Sequence, residues 1–249
     1  MRIGYLRQFA KKFGWIPGLK LYFNISFNKI SKIQLPTIEH PICLRENSSD
    51  LKVFYQIFLN DEYSINIPFT PTVIIDGGSN IGLFSVLYKN LFKDAKLICI
   101  EPDYENFILS EENLSNYENV FHENKGIWTK DTSLRVSDKH NSGKWGMVVE
   151  EDPRGELEAI TIDSIIRKYA INIIDVLKLD IESTEKYIFN SNYENWLPKV
   201  KMIIIELHDW MEPGCSRPFF EAINKCFTNY EYSCVGENTI IINLDLKDI

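Results

Sequence analysis

The chain has 249 residues, 45% hydrophobic and 25% charged, with a net charge of −8. That is the composition of a folded domain with a sizeable core, and its acidic balance argues against nucleic acid as a partner. The cysteines (Cys43, Cys99, Cys215, Cys226 and Cys234) show no CxxC spacing, which supports neither a zinc ribbon nor a disulfide framework and fits a reducing, cytoplasmic compartment.

The opening stretch MRIGYLRQFAKKFGW lacks the apolar core of a signal peptide, and no run approaches the ~18 apolar residues of a membrane span. Arg2, Arg7, Lys11, Lys12, Lys20, Lys29 and Lys32 all precede the first acid, Glu39. Ile3, Leu6, Phe9, Ala10, Phe13 and Trp15 interleave with them, so two readings stand. Either a helix packs its apolar face on the main domain, or a basic helix docks outward, at the inner face of an anionic membrane or on a biosynthetic complex. The helical lead-in is expected to break at Pro17-Gly18, and Ser48 or Ser49 to cap a helix carrying Leu51, Phe54, Tyr55 and Phe58. Residues 1–68 are thus read as a helical N-terminal extension and 69–249 as the main domain.

From Val73 onward, strands and helices alternate, as in an α/β fold with a parallel sheet. Strands are expected at Val73–Ile75, Lys96–Glu101, Val120–Glu123, Ile174–Glu182 and Lys201–His208. Helices are expected near 82–92, 102–117, 163–169 and 218–226. SLRVSDKHNSGKWGMVVEE reads as an inserted hairpin turning at Asn141-Ser142-Gly143, and LEAITI as a short strand after it. Two short strands, EYSCVG and TIIINL, close the chain.

The first strand runs into a glycine turn, DGGSNIG, with Gly77, Gly78 and Gly82 in six residues. Their spacing departs from G-x-G-x-x-G, which argues against a nicotinamide dinucleotide. No Tyr-x-x-x-Lys pair accompanies the turn either. Asp76 at the strand end suits a cationic group and repels a pyrophosphate, while Glu101, ending the second strand, is placed to accept two ribose hydroxyls. S-adenosylmethionine carries an ammonium, a sulfonium and a ribose but no phosphate.

The ordered set LRENSSDLKVFYQIFLNDEY, IIDGGSNIG, IEPDYENF, ITIDSI, DVLKLDIEST and IIIELHD resembles the FkbM family of S-adenosylmethionine-dependent methyltransferases. The resemblance implies a class I methyltransferase sheet of order 3-2-1-4-5-7-6, with strand seven antiparallel. It also implies O-methylation of a sugar hydroxyl in a surface polysaccharide, glycolipid or precursor. Asp76, Gly77, Gly78, Ser79, Asn80 and Gly82 would then hold the methionine part, Glu101 the ribose, and Asn124 and Gly126 would lie near the adenine. Tyr63 stands where the chain would close over the cofactor, with plain packing as its other reading. The family pattern has glycine where this chain has Ser183.

Transfer of a methyl from sulfonium to oxygen needs an aligned acceptor and a proton acceptor. Period two puts Asp180 and Glu182 on one side of their strand and Glu206 and His208 on one side of the next. His208, neutral at pH 7 if unperturbed, is the first choice of base. Asp180 would contact substrate or cofactor, and Glu182 and Glu185 would serve the turn or the chemistry. A Mg²⁺ ion on Asp180, Glu206 and Asp209 is the alternative arrangement. Trp128, Arg135, Trp145 and Met147 of the insertion would form a substrate wall. A methyltransferase for a non-sugar acceptor, including N-methylation, and a non-catalytic binding protein on a relic methyltransferase fold are the competing functions.

Overall fold

The computed structural model describes residues 3–27, 32–137, 148–152, 154–182 and 184–246. Its centre is made by the apolar, β-branched runs: β3 (Val73–Gly77), β4 (Lys96–Ile100), β5 (Val120–Glu123), β10 (Ile174–Leu179) and β11 (Val200–Glu206). All five run parallel, and β11 then pairs antiparallel with β13 (Asn238–Asn243), which pairs with β12 (Tyr230–Val235). The resulting order, β5-β4-β3-β10-β11-β13-β12, is the expected 3-2-1-4-5-7-6 sheet with its reversed seventh strand. Every residue of β10 is buried, as befits a middle strand covered on both faces.

Helices α4 (Leu83–Leu91), α5 (Tyr104–Leu114), α6 (Ile162–Lys168) and α8 (Ser216–Cys226) cover the sheet. Side-chain caps fix two of them: Asp103 accepts from the Asn106 amide and Thr161 from the Ser164 amide, each at 3.0 Å. At the foot of the sheet the buried Asp175 accepts from the amides of Thr72 and Val73 and from the Thr72 hydroxyl, and pairs with Lys201 at 3.1 Å. That staple sets the start of β3 beside β10.

The insertion forms its own sheet rather than widening the main one. Strands β6 (Gly126–Ile127), β9 (Leu157–Ile160), β7 (Ser133–Ser137) and β8 (Val148–Glu151) lie in the order β6-β9-β7-β8. β7 and β8 pair antiparallel as the hairpin reading requires, while its turn at 141–143 lies outside the described residues, as do Trp145 and Met147.

Two helices, α1 (Ile3–Phe13) and α2 (Trp15–Phe27), open the chain. The break falls at Gly14, with φ +88°, and not at Pro17-Gly18. Pro17 sits in the first turn of α2, where its missing N–H costs nothing. Gly18 is a packing residue inside that helix: a Cβ there would stand 2.2 Å from the Phe9 carbonyl oxygen of α1. A two-stranded ribbon, β1 (Lys32–Ile33) and β2 (Ile42–Cys43), follows. Then comes α3 (Asp50–Phe54), continued by a π-helical turn over Tyr55–Leu59. It is Ser48, not Ser49, that accepts from the Asp50 amide, at 3.2 Å. Phe9, Tyr22, Phe54 and Phe58 share one buried apolar cluster with Ile74, Phe84 and Ile204. Buried Asn113 of α5 stitches the two parts together, accepting from the Cys43 amide at 2.6 Å and donating to the Cys43 and Ile81 carbonyls.

Candidate active site

The glycine turn follows β3 and is shaped first by its own chain. Gly78 (φ +73°) and Gly82 (φ +80°) are left-handed, as is Asn80 between them. A Cβ on Gly78 would stand 1.8 Å from the Asp180 carbonyl oxygen, one on Gly82 2.6 Å from Ser110 Oγ, and one on Gly77 2.6 Å from Ile127 Cδ1. The glycines therefore let the end of β10 and the flank of α5 approach the turn. Gly126 has a similar reason, since its Cβ would meet Leu134 of the small sheet at 3.2 Å.

Asp76 is fully buried, its Oδ2 accepting from Ser85 Oγ at 2.6 Å and its Oδ1 lying 3.2 Å from Lys178 Nζ. Lys178 stands directly across from Asp76 in the β3–β10 register. The cation that Asp76 was expected to seek in a ligand is thus supplied from within, so Asp76 reaches a ligand only through the groups it fixes. Lys178 Nζ also donates to the Gly78 carbonyl at 2.7 Å and lies 3.8 Å from Asp180. Burial works against its charge, but Asp76 and Asp180 outweigh it and hold the ammonium group protonated well above its ordinary range. The register of Lys178 opposite Asp76 is not visible without the sheet.

Glu101, beyond the end of β4, is nearly buried and accepts from the Asn80 amide at 2.7 Å and the Asp103 amide at 2.9 Å. Burial pushes its carboxyl up to about 7, against the pull of those amides. The Asn124 amide group donates to the carbonyls of Glu101 (2.9 Å) and Pro102 (3.1 Å), so it braces this corner. Ser79 is buried beside them with its hydroxyl unpaired. Tyr63 is buried edge-on to Phe84 at 5.1 Å. Burial raises its hydroxyl strongly, and Lys178, Asp180, Asp76 and Glu206 all lie close enough to act on it.

The acids gather past β10 and β11. β10 ends at Leu179 and Glu182 is left-handed (φ +51°), so strand periodicity does not govern the 180–182 pair. β11 ends at Glu206, and the His208 carbonyl accepts from the amides of Met211 and Glu212 in the turn that follows. Even so, His208 Nε2 lies 3.6 Å from both Asp180 Oδ1 and Glu206 Oε1. Its Nδ1 lies 3.0 Å from Glu185 Oε1, and this same oxygen accepts from the Ile181 amide. Glu185, at the start of α7 (Glu185–Ile188), is fully buried.

Burial alone would lower His208, but the bond to Glu185 and the charges of Glu185, Asp180 and Glu206 prevail and raise it to about 9. The imidazole is therefore protonated at neutral pH, which departs from its expected role as a neutral base. Glu206 and Glu182 are each pushed up to about 7, by burial first and then by the charge of Asp180. The two carboxyls are half-ionised near neutrality, the condition that suits proton transfer.

Asp180, Glu206 and His208 also present ligand atoms within 4.8 Å of one another. Asp209 does not join them. Its carboxylate accepts from the amides of Gly214 (3.1 Å) and Ser216 (2.9 Å) and from the Ser216 hydroxyl, tying the turn to α8. The oxygen-only Mg²⁺ arrangement of Asp180, Glu206 and Asp209 is therefore not assembled, because Asp209 is committed to that turn.

The expected substrate wall is partly internal. Trp128 is buried, donates to Glu151 at 2.8 Å and packs on Tyr187 at 4.9 Å, while Arg135 pairs with Asp152 at 2.7 Å. Nearer the acids stands an aromatic that sequence reasoning passed over. Trp210 is 73% exposed, with its ring 6.2 Å from that of His208.

The family model for the methyltransferase FkbM domain matches residues 76–234, from the carboxylate ending β3 into β12. Among curated proteins, methyltransferase sdnD of Sordaria araneosa is 24% identical over 211 residues, 69% of this chain and 78% of that protein. AMB antimetabolite synthetase AmbE of Pseudomonas aeruginosa is 24% identical over 220 residues, and the match spans only 10% of it. The methyltransferase FkbM structure from Methylobacillus flagellatus superposes with TM-score 0.49 at 14% identity, covering 70% of this chain and 43% of that one. With more than half its length under the family model, the chain belongs to the FkbM methyltransferase family.

Proposed function

We propose that this methyltransferase moves a methyl group from S-adenosylmethionine, the donor its family implies, to a sugar hydroxyl of a surface polysaccharide, glycolipid or precursor. The observation that carries the reading is the division of labour beyond the strand ends. A buried carboxylate, Glu101, stands by the glycine turn, and an acid–imidazole cluster stands two strands away.

The residues fit the donor. Glu101 can accept two hydroxyls in place of the water that burial denies it, and the unpaired Ser79 hydroxyl lies in the same turn. Asp180 keeps 31% of its side chain exposed and is the carboxylate available to an ammonium group. When bound, the donor supplies an electrophilic methyl beside this cluster.

The acceptor hydroxyl would enter between the ends of β10 and β11. Glu206, partly exposed and held near 7, takes the proton as the oxygen attacks. As a fixed cation 3.6 Å from each, His208 offsets the repulsion between Glu206 and Asp180, and Glu185 fixes the ring from behind, so His208 is a positioning residue here. Lys178 restrains Asp180 from the other side. Exposed Trp210 offers an apolar face of the kind that stacks on a sugar ring.

The test is transfer of labelled methyl from S-adenosylmethionine to a panel of sugar acceptors and to amine analogues of them. Label in the hydroxyl acceptors, lost in Glu206→Gln with donor binding intact, is the expected result. Label confined to the amines would replace O- by N-methylation, and no transfer to any acceptor with the donor bound would favour the relic-fold reading.

A further inference from the structure

The amino-terminal helical hairpin presents an apolar outward face to solvent at Trp15 and Ile16. In α2 the packed side is Gly18, Leu21 and Tyr22, all buried, with Gly18 against the Phe9 carbonyl. At about 100° per residue, Ile16, Lys20 and Phe23 fall on the opposite side of the helix. Ile16 is 83% exposed, Trp15 at the tip 73% and Phe23 45%. A helix apolar on both its packed and its outward side is not that of a simple surface helix. Arg7, Lys11 and Lys20 are exposed on the same hairpin, while Lys12 is taken by Asp61.

The charge around this face is segregated. No acid precedes Glu39, yet the chain as a whole carries −8. An anionic surface would attract the hairpin and repel the rest of the molecule, so contact there would be oriented. No helix among the described residues is long and apolar enough to cross a bilayer. Trp and Ile beside Lys and Arg instead match a helix lying in the headgroup layer.

We propose that this face, built on Trp15, Ile16 and Lys20, docks on an anionic lipid bilayer. The hairpin is joined to the active site by short links. Tyr5 stacks on Tyr55 at 5.0 Å, and Lys12 pairs with Asp61, two residues before Tyr63. Docking would thus hold Tyr63 and the acid cluster it adjoins near the membrane, where a lipid-carried acceptor is presented. That choice among acceptors rests on the methyltransfer reading above; the docking itself does not.

The experiment is sedimentation with sucrose-loaded vesicles, of phosphatidylcholine alone and of equal parts phosphatidylcholine and phosphatidylglycerol, at low and high salt. The full chain is expected to partition onto the anionic vesicles about a hundredfold more strongly, with the difference fading in high salt. Trp15→Asp/Ile16→Asp should abolish sedimentation, and Lys11→Glu/Lys20→Glu should reduce it at least tenfold. Donor binding by each variant reports that it is folded. Equal recovery with both vesicles, or anionic binding that the Trp15/Ile16 variant keeps, overturns the proposal. A dimer in solution that Trp15→Asp/Ile16→Asp converts to monomer also overturns it, since the face would then be covered by a second copy. None of these outcomes touches the methyl-transfer reading, which fails only in the acceptor assay.

Discussion

Replacing Lys178 by Met keeps the aliphatic stem and removes only the ammonium group. Asp76 has no exposed surface, and its Oδ1 faces Lys178 at 3.2 Å with no hydrogen bond from another group. The substitution strands that charge in the core and frees the Gly78 carbonyl that Lys178 holds at 2.7 Å. Breaking a buried pair on one side costs about 3–5 kcal/mol. At roughly 2–4 °C per kcal/mol for a domain of this size, the melting temperature should fall by on the order of 10 °C. Urea unfolding followed by circular dichroism reads the cost as a lower midpoint at unchanged slope. The double variant Asp76→Asn/Lys178→Met should regain most of the loss, because the stranded charge is gone with its partner. A Lys178→Met protein within about 1 kcal/mol of the parent, or a double variant no better than the single, would refute the pairing that organises the turn.

Gly78→Ala must meet both a left-handed backbone and a carbonyl oxygen 1.8 Å from its Cβ, whereas Gly82→Ala meets the movable end of Ser110. The first should cost about 2–4 kcal/mol and the second clearly less, by the same urea assay. At saturating donor, methyl transfer should follow a bell in pH. Its acid limb near 7 comes from ionisation of Glu206, and its alkaline limb near 9 from loss of the His208 proton. In stability the raised His208 value acts in one direction: its contribution is complete below about 6.5, its unfolded value, and is lost as pH rises through about 9. His208→Asn should remove the alkaline limb and leave donor affinity unchanged. Donor affinity has its own pH dependence. Hydroxyls donating to Glu101 favour its ionised form, so binding should weaken by up to tenfold per unit as pH falls below about 7.

Much of this architecture was readable from local chemistry. Val73–Ile75, Ile174–Leu179 and Met202–Ile205 are β-branched or leucine-rich runs that only a covered parallel sheet accommodates, and Asp103 and Thr161 mark helix starts by their capping chemistry. Strand order came from the resemblance to a family, because pairing is set by contacts distant in sequence. The hinge at Gly14 was missed because Pro17 and Gly18 carry the stronger breaking signal. Pro17 is harmless in a first turn, and Gly18 is needed for contact with α1. The convergence of Asp180, Glu206 and His208 was anticipated from their positions near two strand ends. What could not be read was their ionisation. His208 as a base assumed an isolated imidazole, and the buried Glu185 behind it belongs to α7, which precedes β11 in the chain. Asp209 looked equivalent to Glu206 as a ligand until the Gly214 and Ser216 amides were seen to hold it.

We propose that S-adenosylmethionine is held through Glu101 at the end of β4. Calorimetric titration of S-adenosylmethionine into the parent protein and into Glu101→Ala tests it most directly. Micromolar binding that weakens at least a hundredfold in the variant, with NADH giving no heat in either, is the result expected. Tight binding that survives the loss of Glu101, or none in the parent protein while NADH binds, would contradict it.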